Sequence, residues 1–319
     1  MRREISVAGT ILALFTLLAL LVPSYFSRSN LADLLLTNAP VLIVALGMTL
    51  VILTGEIDIS VGSLFALASV AAGMAAKWGA PSLVSGLAAC LIGAALGALN
   101  GTLVTRLRVP SIVATLAAMV AWRDALRWAT QGAWIEDLPA GFQWFGLSQS
   151  SYPAVILLAA AALTVAAAWG LKNVSGGRHV YATGSNEEGA RLAGIRTRLV
   201  KFSCFTILGA LTGVAAALNS ARFNQIPSNT GLGLELKVIA SVVVGGAAVT
   251  GGSGTILGTV LGVILMGAIG PALTFLGLSA YWDKAIQGGI ILSAIVIDAL
   301  RAHSRIGNNA IPSAATVQA

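Results

Sequence analysis

Apolar residues run along this chain in blocks of about twenty, broken by short polar stretches, from Ile11 to Leu300. A helix rises 1.5 Å per residue, so about 20 residues cross a hydrocarbon layer of roughly 30 Å. The pattern predicts ten spans, over 6–24, 34–54, 60–77, 81–105, 110–130, 152–171, 201–220, 232–249, 254–274 and 280–300. The strict apolar–polar alternation of a membrane barrel is absent. The expected fold is an all-α polytopic membrane protein, with about ten transmembrane helices in one bundle.

Composition sharpens this picture. Apolar residues make up 57% of the 319 positions and charged residues 10%. A soluble fold of this length lacks the interior to hide so many apolar blocks. The 36 glycines are spread through the blocks rather than gathered in linkers. Small residues let helices approach closely in lipid, so the spans should pack as a bundle. No polar stretch is long enough for a soluble domain. A single transmembrane domain is expected over 1–302, followed by a polar, disordered tail over 303–319.

The net charge of +7 comes from loops rather than from a nucleic-acid surface. With the N-terminus inside, the inner segments collect Arg2, Arg3, Arg106, Arg108, Lys172, Arg178, Arg191, Arg196, Arg198, Lys201, Arg301 and Arg305. These are twelve of the nineteen basic residues. The positive-inside rule therefore predicts both termini in the cytoplasm. Arg2, Arg3 and the apolar run from Ile11 to Val22 resemble a signal peptide, but no small-x-small site follows, so an uncleaved first helix is expected. Cys90 and Cys204 lie inside apolar runs and read as packing residues. His179 and His303 stand alone, without metal-ligand spacing, so no metal and no cofactor are expected.

Two connections are long. The outer one, 131–151, carries Trp134, Glu136, Asp137, Trp144 and Phe145, aromatics that suit the water–lipid boundary. The inner one, 172–200, contains a short helix by its own chemistry. Ser185 or Asn186 can cap it, Glu187 and Glu188 complement its positive N-terminus, and Gly194 can stop it. There is also a faint echo between Gly93–Gly97, leading to Asn100 and Arg106, and Gly209–Gly213, leading to Asn219 and Arg222.

Three constellations could carry function. Gly55, Glu56, Asp58, Ser60 and Gly62 interrupt an apolar stretch near the inner face. They form a tight turn in which Asp58 or Ser60 caps the third span, a contact that senses a cytoplasmic partner or gates the inner exit, or both. A second group sits at the outer ends of spans: Trp122, Arg123, Asp124, Arg127 and Trp128, then Arg222, Phe223, Asn224 and Gln225, then Glu235 and Lys237, then Trp282, Asp283 and Lys284. These side chains suit salt-bridged helix ends and interfacial anchors, the gripping of a sugar, or the docking of an extracytoplasmic protein. From this group Trp122, Arg123, Asp124, Asn224, Gln225, Glu235, Trp282 and Asp283, with Asn100, are the candidates for the translocation path or outer mouth. Third, Gly245–Thr255 invites a phosphate-loop reading, which fails because the chain has no Gly-Lys dipeptide. It reads instead as a glycine-rich turn, and no catalytic residues are expected.

The Gly55–Ser63 block resembles a signature of the ribose/xylose/arabinose-type sugar permeases of ABC transporters. Gly97–Leu116, Gly177–Ile195 and Glu235–Thr255 are similar to three further blocks of that family, in the same order. Glu56 departs from the glycine common there, and Ser111 from a common phenylalanine. The run Ala221–Asn229 is closer to rhamnose-type and autoinducer-2-type permeases. The resemblance implies a non-enzymatic importer subunit in the bacterial cytoplasmic membrane, carrying a pentose, a deoxyhexose such as rhamnose, or autoinducer-2. It implies a cytoplasmic ATPase dimer, an extracytoplasmic sugar-binding protein and a second permease copy or paralogue as partners.

The segment with Asn186, Glu187, Glu188, Arg191, Leu192, Gly194 and Ile195 would then be the helix that couples to the ATPase. A secondary transporter or channel is the alternative. Spans one, four, six and nine carry no acid or base at mid-depth, which argues against proton coupling.

Overall fold

A computed structural model describes residues 2–279, 281–293 and 296. The end of the tenth expected span, Arg301, His303, Arg305 and the expected tail lie outside the described residues. Among those described, the chain is helical throughout. The helices are α1 (Arg2–Leu21), α2 (Arg28–Leu53), α3 (Val61–Lys77), α4 (Ser82–Thr105), α5 (Ser111–Thr130), α6 (Tyr152–Asn173), α7 (Ser175–Ser185), α8 (Glu187–Leu192), α9 (Thr197–Ser220), α10 (Leu234–Val244), α11 (Ile256–Phe275) and α12 over 282–293. The single β-type contact is an antiparallel bridge between Ile135 and Ile226.

Among the described residues, six helices (α1, α2, α4, α6, α9 and α11) are long and apolar enough to cross a membrane. Helix α3 is apolar but shorter. Helix α5 has the length, but Arg123, Asp124 and Arg127 interrupt it. The eighth expected span, 232–249, is not one helix. It holds the 11 residues of α10 and then turns at Gly245 and Gly246. Eleven residues rise only about 16 Å, so α10 ends part-way through a layer of roughly 30 Å. The apolar run did not reveal this, because a glycine turn inside a bundle keeps the hydropathy of a helix.

Helix α2 lies at the centre, buried almost continuously from Asn38 to Leu53 and packed by α6, α9, α10 and α11. Pro40 sits inside it. Proline has no N–H to give the carbonyl four residues back. That carbonyl, Leu36 O, instead accepts from Arg222 Nη1 at 3.2 Å. Arg222 therefore repairs a broken helix bond inside the bundle.

The most extensive helix–helix contact joins α4 to α9. Gly93 and Gly97 face Gly209 and Gly213 so closely that a methyl group on any of the four would strike the opposite backbone. The two echoing glycine motifs are thus the two halves of one interface, a close approach that small residues permit. Peripheral α1 is stapled to α11 by Phe15, Tyr25, Phe26 and Phe275, with ring centroids 5.2 to 6.4 Å apart.

The 131–151 connection folds back over the bundle rather than lying along its edge. Phe142 is buried, and Trp144 and Phe145 pack on Tyr152. Trp144 N donates to Ala221 O at 2.7 Å. Only Trp134 of the expected boundary aromatics is exposed.

Candidate functional site

One end of the bundle gathers the 54–63 break, the 172–200 segment and the turn between α10 and α11. After Leu53 the chain turns through Gly55, which takes a φ of 81°, a left-handed value that glycine adopts without strain. Residues 56–60 then run back into the bundle in non-helical form before α3 begins. Their backbone needs partners there. Ile59 N donates to Thr115 Oγ1 at 3.1 Å, and Ile57 N to Ser111 Oγ at 3.4 Å. Ser111, which departs from the sugar-permease pattern, thus serves this segment.

Asp58 is fully buried. Its Oδ1 accepts from Ser60 N at 2.8 Å and Ser60 Oγ at 2.6 Å, and its Oδ2 accepts from Asn100 Nδ2 at 3.0 Å. Asn100 Nδ2 also donates to Ser60 Oγ at 2.9 Å. Neither Asp58 nor Ser60 makes the expected side-chain cap on α3; the pair forms a local turn locked to α4 instead. Asn100 lies five residues before the C-terminal end of α4, beside the 54–63 break, and is fully enclosed. Gly62 meets the loop before α10: a methyl there would collide with the Glu235 carboxylate and Gly231 O.

The expected short helix is α8, and Asn186 caps it, its Oδ1 accepting from Gly189 N at 2.9 Å. Gly194 follows with a φ of 84° and ends it. The same segment holds a second helix, α7, because Gly176 and Gly177 stay helical. Gly177 rests directly on the Leu171 backbone. Ala190 faces inward, while Glu188, Arg191 and Leu192 face solvent and Ile195 is half-buried. Arg191 Nη2 donates to Glu188 Oε1 at 2.6 Å, and this contact raises the Arg191 pKa.

Lys201, at the start of α9, ties the two regions together. Its ammonium donates to Glu56 Oε1 and to Glu187 Oε2, both at 2.7 Å. The Lys201 and Glu56 side chains are 13% and 16% exposed, Glu187 49%. Partial burial alone would raise the Glu187 carboxyl; the hydrogen bond and charge of Lys201 outweigh it and hold it below the usual range. A charge that departs from the sugar-permease pattern, Glu56, thus has a partner 145 residues away, which sequence spacing could not reveal.

Beside this link lies a junction made mostly of main chain. Gly252 N donates to Leu53 O at 2.9 Å. Gly184 packs on Leu53 and Gly252, and Gly251 on Gly55 and Gly184, with no room for a methyl group at Gly184 or Gly251. The Gly245–Thr255 stretch is the turn expected from the sequence, and it joins α2 and α7 mostly through backbone.

The other candidates are scattered. Arg123 is not at an exposed helix end. It is 8% exposed, and its Nη1 donates to Thr230 O at 2.8 Å, within the electrostatic reach of Glu235. Glu235 Oε1 accepts from Gly233 N at 3.2 Å. Asp124 is exposed and pairs with Arg127 at 3.4 Å, while Trp122 is half-buried. Asn224 and Trp282 are exposed, Gln225 is half-buried, and Asp283 is half-buried beside Gly270 of α11.

Comparison with known proteins agrees with this architecture. The autoinducer 2 import system permease protein LsrC of Yersinia pseudotuberculosis serotype O:1b (strain IP 31758) is 38% identical over 302 residues, spanning 93% of this chain and 84% of that protein. The protein of the same name from Yersinia pestis (strain Pestoides F) matches to the same extent. No solved structure matches. The family described as branched-chain amino acid transport system / permease component matches residues 30–295, and this chain belongs to it.

Proposed function

We propose that this chain is the membrane permease of an ATP-binding-cassette importer that carries autoinducer 2, or a sugar-like solute such as rhamnose or a pentose, into a bacterial cell. The name of its relatives supports the solute class. In this reading about ten spans cross the cytoplasmic membrane and both termini are cytoplasmic. A cytoplasmic ATPase dimer docks on α8, an extracytoplasmic binding protein delivers the solute, and a second permease copy or paralogue completes the pathway.

The observation that carries the reading is the Glu56–Lys201–Glu187 link. It joins an exposed capped helix at the basic end of the bundle to a non-helical break inside it. Movement of α8 by a partner is delivered to residues 56–60 through Lys201. Asp58, Ser60 and Asn100 hold that segment in one arrangement, so a shift there moves between discrete packings rather than bending smoothly. Glu188, Arg191 and Leu192 are the exposed groups that meet the ATPase.

The test is reconstitution of the permease with its ATPase and binding protein in proteoliposomes. Uptake that requires ATP and both partners supports the reading. Uptake by the permease alone, driven by a proton or sodium gradient, would establish the secondary-transporter alternative.

A further inference from the structure

A cavity of about 290 Å³ opens among α2, α3, the end of α9, the loop before α10, and α12. Ligand pockets run from roughly 300 Å³ upwards, so its size suits a single small ring rather than a larger solute. It stands above the N-terminus of α10, on the side of the bundle away from α8. Phe65 presents an aromatic wall, and Thr37, Asn219, Lys237, Asp283 and Gln287 bring polar groups to it.

One of those groups has a buried atom without a partner, and two more make no hydrogen bond among the described residues. Asp283 Oδ1 is buried and accepts no hydrogen bond. Lys237 lies within the field of Asp283 but donates to no acceptor among the described residues. Gln287 is 3% exposed, and its side-chain amide makes no hydrogen bond among the described residues. A buried polar atom without a partner is costly, and one set beside a cavity with an ammonium and two amides marks a place where a ligand completes the group. The helix bundle fills the region below with α10, so a solute resting here would be held on the outer side of the break.

We infer that this cavity is a solute-binding site within the permease itself, built for a small cyclic polyol. A carboxylate accepts from adjacent hydroxyl groups, an ammonium and two amides donate to hydroxyl or ring oxygens, and Phe65 covers an apolar ring face. The inference rests on the reading of the chain as a polyol permease and adds to it a site that the binding protein does not supply.

The test is saturation-transfer NMR on the full chain in lipid nanodiscs, without ATPase or binding protein. The probes are autoinducer 2, L-rhamnose and D-ribose, with trehalose, too large for the cavity, as the reference. The expected result is transfer to at least one probe, falling fivefold or more in Asp283→Asn and Gln287→Leu. Asn219→Leu, on a different helix, gives the same readout if Asp283→Asn does not fold. Transfer to no probe beyond that given to trehalose, or equal transfer in the folded variants, overturns the inference. ATP-driven uptake without such binding would leave the proposed function standing and remove only this site. Such binding together with uptake that needs no ATPase would do the reverse.

Discussion

Lys201→Met tests the link between α8 and the break most directly. The substitution keeps most of the side-chain volume and removes the charge that two carboxylates share at 2.7 Å. Glu56 is left 16% exposed and unpaired. Breaking a buried pair by removing one partner costs about 3–5 kcal/mol. Glu187 is half exposed, so water takes over much of its loss and its share is about 0–1 kcal/mol. The attachment of α8 to the break should therefore weaken by about 3 kcal/mol, and each 1.4 kcal/mol is a factor of ten in population. The assay is the number of ATP molecules hydrolysed per solute imported by the reconstituted complex. Hydrolysis should continue while the ratio rises at least tenfold. Glu56→Gln together with Lys201→Met should recover part of the coupling, because the orphaned charge is gone. A Lys201→Met complex with the wild-type ratio and the wild-type thermal midpoint would refute the reasoning.

Four further outcomes follow from the same geometry. Gly97→Leu forces a large side chain into the α4–α9 contact, and overpacking of this kind costs about 1–3 kcal/mol; a thermal midpoint in detergent that does not fall would count against the contact. Asn100→Leu strips a donor from the buried Asp58 carboxylate and should destabilise the fold by about 1–3 kcal/mol, read in the same melt, whereas Asp58→Asn with Asn100→Asp should recover part of it. Asn186→Ala removes the α8 cap and should cost about 1 kcal/mol locally, visible as faster hydrogen exchange at Gly189, whose N–H loses its acceptor, and in the rest of α8. The Glu187 carboxyl is held below its ordinary value of 4.5, so its contribution is fully present above that pH and is lost as pH falls through the lowered value. Exchange in α8, corrected for the intrinsic rate, should be flat from pH 7 to 5 and rise only below about 4.5.

The elements most legible in the sequence were those set by local chemistry. Asn186, the two following glutamates and Gly194 define α8 within six residues, and the structure uses Asn186 as the cap and Gly194 as the stop. The break at Gly55 was legible because two carboxylates interrupt an apolar run. Its partners were not, since Asn100, Thr115 and Lys201 reach it across 40 to 145 residues of chain. Helix α7 was hidden by Gly176 and Gly177, which signal a loop in water but here allow close packing on Leu171. Arg123 and Arg222 read as surface charges, because hydropathy cannot show that each satisfies a backbone carbonyl inside the bundle.

Where Gly55, Gly184, Gly251 and Gly252 meet, three segments touch mostly through peptide planes, with the small Ser185 hydroxyl the one side chain reaching Gly252 O. Interlocked side chains must disengage before one helix can slip past another, and that climb sets a barrier. A contact made mostly of main chain has few teeth to lift. The junction can therefore serve as a bearing, letting α7 swing against the foot of α2 while the charged tether beside it transmits the stroke. Adding even one carbon at Gly184 would seize it, and the importer would stall with all of its charges intact.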